Sequence, residues 1–188
     1  MPGSFLVSTA VVSLAEIGDK TQLLSLLLAA RFRKPAPIIV AIFLATLLNH
    51  GLAALLGEWV RGLLSPEAAR WLLGLSLLAI AAWTLKPDKL DGAVPSATRL
   101  GVFAVTFVSF FFAEMGDKTQ VATVVMAAEY RAFFAVVMGT TLGMMIANVP
   151  VVVLGGAMAH RIPLHIVRRV AAGMFAVLAV FILTGHGL

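Results

Sequence analysis

Two stretches of the 188-residue chain repeat one chemical pattern: AEIGDKTQ over 15–22 and AEMGDKTQ over 113–120, alike at seven of eight positions. Each sets two carboxylates and one ammonium inside a strongly apolar run. Hydrogen-bonding side chains follow at once, Thr21 and Gln22 in the first copy and Thr119 and Gln120 in the second. Four carboxylates (Glu16, Asp19, Glu114, Asp117) are hard oxygen donors, the ligand type of Ca²⁺, Mg²⁺ and Mn²⁺. Together with Lys20 and Lys118 they sum to −2, which one divalent cation balances and two protons balance equally. A site neutral with either occupant and costly when empty has the logic of an exchanger.

The surroundings make these charges expensive. The chain is 61% hydrophobic and only 12% charged, against about 25% charged in a soluble domain. Six apolar stretches, 5–30, 36–60, 67–85, 100–129, 132–159 and 163–185, reach or approach the ~20 residues a membrane-spanning helix needs. The expected fold class is therefore all-α, a polytopic membrane protein with six transmembrane helices. An ionised side chain at mid-bilayer costs roughly 2.5–3.5 kcal/mol, so six uncompensated ones would cost on the order of 15–20 kcal/mol. That exceeds the ~5–15 kcal/mol stability of a typical domain. The six groups must face one another, water or an ion.

A structural reading competes. Glu16–Lys20 and Glu114–Lys118 stand at i,i+4 spacing and could neutralise each other, leaving Asp19 and Asp117 without partners. On continuous helices Glu16 and Asp19 lie about 60° apart and Lys20 about 40° from Glu16, so each helix would carry one polar face. Gly18 and Gly116 fall roughly opposite, allowing either close helix contact or a local break that frees carbonyls.

The motifs recur at an offset of 98 residues, from Glu16 to Glu114 and from Asp19 to Asp117. The polar segment 86–99 divides the chain into a first three-helix unit, 1–85, and a second, 100–188. Because three is odd, the second unit must enter the membrane from the opposite side, giving two inverted three-helix repeats with a site expected at their interface. Asn49 and Asn148 fall mid-span on the second and fifth helices, where they either line that site or bridge helices. Gln22 and Gln120 lie some 120° from the glutamate stripe and are weaker candidates. His50, Met144, Met145 and Phe110 to Phe112 read as packing, and Pro150 as a kink.

The net charge of +5 is distributed as topology. Arg31, Arg33, Lys34, Lys86, Lys89, Arg99, Arg161, Arg168 and Arg169 fall on one side; Arg61, Arg70 and Arg131 fall on the other. The positive-inside rule places the richer side in the cytoplasm and both termini outside it. Trp59 and Trp71 then mark the outer interface and Trp83 the inner one. Nucleic acid is not an expected partner; the lipid bilayer is. The absence of cysteine excludes disulfides and thiolate metal sites.

The doubled pattern EIGDKT (16–21) and EMGDKT (114–119) in a small six-helix chain closely resembles the Gdt family of cation/proton antiporters. The resemblance covers essentially the whole chain. It implies Mn²⁺ and/or Ca²⁺ as substrate, exchanged for protons, with Glu16, Asp19, Glu114 and Asp117 as ligands. Lys20, Lys118, Thr21, Thr119, Gln22, Gln120, Asn49 and Asn148 then serve the pathway or charge balance. No resident cofactor is implied, because the metal is cargo. It also implies a manganese-exporter-like prokaryotic member in the cytoplasmic membrane, exporting the ion. The alternatives are an exporter of an amino acid or other small solute, a passive cation channel and, in a different class, an intramembrane aspartyl protease built on Asp19 and Asp117. A lipid-pyrophosphate phosphatase would want intramembrane arginine, and every arginine here lies near a loop.

Overall fold

The structure, a computed structural model, describes residues 2–86, 101–154 and 164–185. These residues form eight helices: α1 (Pro2–Glu16), α2 (Lys20–Phe32), α3 (Pro35–Leu63), α4 (Pro66–Thr84), α5 (Gly101–Glu114), α6 (Lys118–Tyr130), α7 (Phe133–Leu154) and α8 (Leu164–Leu183). Their ends follow local chemistry. Ser65 caps α4 by accepting from the Ala68 N–H at 3.3 Å, with Pro66 supplying the fixed φ of a first turn. Arg33 ends α2 in the left-handed region at φ 51°, its N–H returning to the Ala29 carbonyl.

Within the described residues each expected span is largely helical, with one change of kind. The first and fourth are not continuous: each is two half-helices, α1 with α2 and α5 with α6, broken at the motif. At 13 to 15 residues no half crosses a bilayer alone. Among the described residues α3, α7 and α8 are long and apolar enough to do so, and α4 is not one of them. The linker beyond Lys86, the end of the fifth expected span, and Lys89, Arg99, His160, Arg161 and His186 lie outside the described residues.

α3 illustrates the solvent the fold is built for. Leu44, Leu48, Leu52 and Leu55 form an exposed stripe, while Ala41, Ala45, Asn49 and Ala53 form a buried one on the opposite side. In water the leucines would turn inward. In lipid, acyl chains satisfy them, and small residues go to helix contacts because they let backbones approach. The chain is an integral membrane protein by this pattern and by its spanning helices. α7 sits at the centre and is the most buried of the three spanning helices, with α8 the least. Its Gly139 and Gly143 face α1 so closely that an added Cβ would stand 2.6 Å from the Phe5 carbonyl oxygen and 2.7 Å from that of Thr9.

The two halves interdigitate. α3 of the first half packs on α5 and α6 of the second, and α7 of the second packs on α1 and α2 of the first. α3 and α7 also pack on each other, as do α4 and α8. This exchange brings the two breaks, 98 positions apart in sequence, to one place.

Candidate cation site

Each break is built the same way. α1 stops at Glu16, Gly18 takes φ +81°, and Asp19 becomes the extended N-cap of α2. In the second copy α5 stops at Glu114, Gly116 takes φ +75°, and Asp117 caps α6. Left-handed backbone is cheap only for glycine, which explains why glycine stands between the two acids of each motif. The Asp19 and Asp117 N–H groups donate to the Glu16 and Glu114 carbonyls, each at 3.0 Å. The positive N-terminal ends of α2 and α6 therefore lie beside the aspartates, where a half-helix dipole favours negative charge.

The threonine and glutamine of each motif close its own break. Thr21 Oγ1 donates to Glu16 Oε2 at 2.5 Å, and Thr119 Oγ1 donates to Glu114 Oε2 at 3.3 Å. Gln22 Oε1 accepts the freed N–H of Gly18 at 2.8 Å; Gln120 Oε1 accepts that of Gly116 at 2.6 Å. The amide nitrogens then reach across the halves, Gln22 Nε2 to the Ala147 carbonyl at 3.0 Å and Gln120 Nε2 to Asn49 Oδ1 at 3.5 Å. The glutamines thus strut the breaks. Gln22→Ala leaves the part-buried Gly18 N–H without its side-chain acceptor, at an expected cost of about 1–3 kcal/mol, whereas Gln120→Ala should cost less because the Gly116 N–H is exposed. Denaturant unfolding of each variant in detergent checks this.

The asparagines are likewise engaged. Asn49 Nδ2 donates to the Phe111 carbonyl at 3.0 Å, tying α3 to the end of α5. Asn148 donates to the Met144 carbonyl and sulfur, each at 3.0 Å, and its Oδ1 accepts from Ser25 Oγ at 2.7 Å. Ser25 escaped the sequence reading. The repeat offset aligns it with Thr123, another buried hydroxyl, which was the available signal.

The carboxylates converge. Glu16, Asp19, Glu114 and Asp117 are each at most 1% exposed. One oxygen from each of Glu16, Asp19 and Asp117 lies within 4.8 Å of the other two, a spacing a single cation could bridge. Glu114 stands outside that trio but within Coulombic reach of Glu16, Asp117 and Asp19. Glu16 Oε1 and Glu114 Oε1 are buried with no hydrogen-bond partner among the described residues, so both glutamates keep a free acceptor.

The lysines correct the sequence reading. They do not pair at i,i+4 within their own helix, because the break turns α2 and α6 away from the glutamates. They cross instead: Lys20 Nζ lies 2.9 Å from Asp117 Oδ1, and Lys118 Nζ lies 2.9 Å from Asp19 Oδ1. Asp19 and Asp117 are thus the partnered acids, which rules out the competing i,i+4 pairing. The single polar stripe expected of continuous helices is likewise replaced by two helix ends meeting at a break.

The crossed pairs are chemically alike but differently housed. The Lys118 side chain is 4% exposed and that of Lys20 24%. Leu164, at the start of α8, covers Gly18: its Cδ2 would lie 2.6 Å from an added Cβ. Nothing lies within 4 Å of the same point on Gly116. The Lys118–Asp19 pair is sealed, whereas the Lys20–Asp117 pair is reachable.

A helical membrane protein whose broken helices bring oppositely charged, buried groups together at half-helix ends has the build of an ion-coupled transporter. The comparison with known proteins is specific: the chain belongs to the divalent cation/proton antiporter GDT1 family, which matches residues 4–92 and 102–187. It is 56% identical over 174 residues to the "Putative manganese exporter" of Vibrio cholerae, covering 92% of this chain and 86% of that protein. It is 27% identical over 203 residues to GDT1-like protein 3 of Oryza sativa, with 93% and 72% covered. With GDT1-like protein 3 of Arabidopsis thaliana it shares 28% over 195 residues, with 89% and 66% covered. No solved structure matches the chain. The family is one of transporters, not of enzymes.

Proposed function

We propose that the chain exports Mn²⁺ across a bacterial cytoplasmic membrane in exchange for protons, using Glu16, Asp19, Glu114 and Asp117 as the shared binding groups. The observation that carries this is the trio of Glu16, Asp19 and Asp117 oxygens within 4.8 Å, drawn from both motifs and held at two helix breaks. An all-oxygen set suits Mn²⁺ and also Ca²⁺; the Vibrio relative's name favours the first.

The architecture behind this reading is two inverted three-helix repeats, 1–85 and 100–188, joined by the cytoplasmic linker 86–99, with both termini outside. The reciprocal packing of α3 on α5 and α6, and of α7 on α1 and α2, supports such a pseudo-two-fold. Departures from it support alternating access. Leu164 of the second repeat stands 98 positions after Pro66 of the first. In the opposite state the start of α4 would cover Gly116 as Leu164 now covers Gly18. With the topology set by the basic loops, the open pair, Lys20–Asp117, faces outward.

The lysines act as tethered cations. With both aspartates paired across the repeats, the remaining −2 resides on Glu16 and Glu114, and one dication or two protons neutralise it. A metal bound by the trio competes with Lys20 for Asp117, so that ammonium withdraws as the ion seats. Uptake of Mn²⁺ and Ca²⁺ by proteoliposomes under an imposed pH gradient tests the function. Metal flux with opposite proton movement is expected. Flux indifferent to the gradient, or amino-acid flux instead, overturns the reading.

A further inference from the structure

A second polar region lies away from the motifs, at the end of the molecule where α3 stops and α4 begins. A cavity of about 300 Å³ opens there, lined on its polar side by Arg61, Arg70, Arg131 and Glu129 and on its apolar side by residues that include Leu73 and Ile182. Three guanidiniums therefore face one carboxylate. Arg61, Arg131 and Glu129 form no ion pair among the described residues, and Arg70 has a loose contact with Glu67 at 3.8 Å and lies over the Trp71 ring, 5.9 Å from its centroid. The Arg70 Nε is buried with no hydrogen-bond partner.

One guanidinium is held in place. Arg61 donates to the carbonyls of Ala128 and Glu129 at the end of α6, which fixes it across the cavity from α4. Arg131 is the left-handed C-cap of α6, at φ 50°. The N-terminus of α4, opening at Pro66 on the cavity wall, adds its positive end. Three cations beside a helix N-terminus repel a metal ion, and the narrow space below them is lined mainly by apolar side chains, Leu77, Val125, Met126 and Leu178 among them, which offer a cation no ligand. This cavity is no branch of the cation path.

We infer that this cavity binds a phosphate-bearing anion, held by the forked guanidiniums of Arg70 and Arg131 with Arg61 as a fixed third donor. Guanidinium forks match phosphate oxygens in pairs, whether the phosphate is free or part of a lipid head group. The setting favours a lipid as the source: Trp59, Leu63 and Trp71 are exposed on the adjoining turns of α3 and α4, where indole rings mark the head-group level. The occupant is then the head group of an anionic lipid, its chains running down the apolar side.

Native mass spectrometry and thermal unfolding of the detergent-purified full chain test this with phosphatidylglycerol, phosphatidylcholine and inorganic phosphate as separate probes. Phosphatidylglycerol is expected to stay bound and to raise the unfolding temperature, phosphatidylcholine far less. In the Arg70→Gln/Arg131→Gln variant, phosphatidylglycerol affinity should fall at least tenfold. Arg70→Lys, which keeps the charge and loses the fork, should lie between and guards against a misfolded double variant. Inorganic phosphate protecting with the same arginine dependence would identify the free ion as the source. Equal retention of the two lipids with no effect of phosphate, or unchanged retention in the folded variants, overturns the inference. Mn²⁺ binding by the double variant is expected to equal wild type, so this test stands apart from that of the transport reading.

Discussion

Glu16→Gln and Asp117→Asn are each expected to abolish metal flux and to weaken Mn²⁺ binding by more than about 100-fold, since removing even an outer-shell partner of a metal typically costs 10–100-fold. The two substitutions should differ in stability. Glu16 carries a buried oxygen with no partner, so neutralising it removes a desolvated charge and should leave unfolding unchanged or slightly later. Asp117 is partnered, but by the more exposed lysine, which can turn to water when its partner goes. Glu114→Gln separates the two states of the cycle. Glu114 lies outside the trio, so Glu114→Gln should weaken open-state Mn²⁺ binding less than Glu16→Gln does while turnover falls. Equilibrium binding in detergent beside flux in proteoliposomes reads both quantities on the same variants. Full flux in Glu16→Gln or Asp117→Asn would remove that residue from the site.

The second large effect belongs to Lys118. Its ion pair with Asp19 is almost wholly enclosed, the side chains being 4% and 0% exposed. Removing one partner of a buried pair leaves the other charge stranded, typically at 3–5 kcal/mol. Lys118→Met should therefore unfold far earlier than wild type, and Asp19→Asn added to it should restore much of the loss. Lys20→Met should cost less, because Asp117, itself only 1% exposed, sits beside the uncovered Gly116, where water can take the place of the partly exposed Lys20. In transport the order reverses in kind. Lys20→Met keeps the site formed but removes the competing ammonium, so metal should bind more tightly and leave more slowly. A double-mutant cycle on Lys118 and Asp19, read by thermal unfolding, measures the coupling. Equal destabilisation by the two lysine variants would contradict the asymmetry of the two pairs.

Much of this was legible in residue order. Apolar run lengths located the all-helical membrane fold and its three long spanning helices, because bilayer thickness leaves such helices little freedom of length. The doubled motif located the acids, because charge in lipid is too costly to be incidental. The glycine signalled that something unusual happened between Glu16 and Asp19, but periodicity could not choose between a close contact and a break. That choice is made by tertiary partners: Gln22 and Gln120 take up the freed N–H groups, and Asn49 braces the end of α5. The crossing of the lysines was out of reach for the same reason. Once each helix breaks, the nearest acid in sequence is no longer the nearest in space. Leu164 illustrates the remaining limit, since an apolar residue at a helix start carries no sign that it roofs a site.

The role of the converging acids is most directly tested by locating Mn²⁺ itself, through anomalous scattering at its absorption edge from crystals grown with the ion. The expected result is one peak bridging Glu16, Asp19 and Asp117, with Lys20 Nζ withdrawn from its 2.9 Å contact with Asp117 Oδ1. A peak elsewhere, or one found with both crossed lysine pairs still closed, would contradict it.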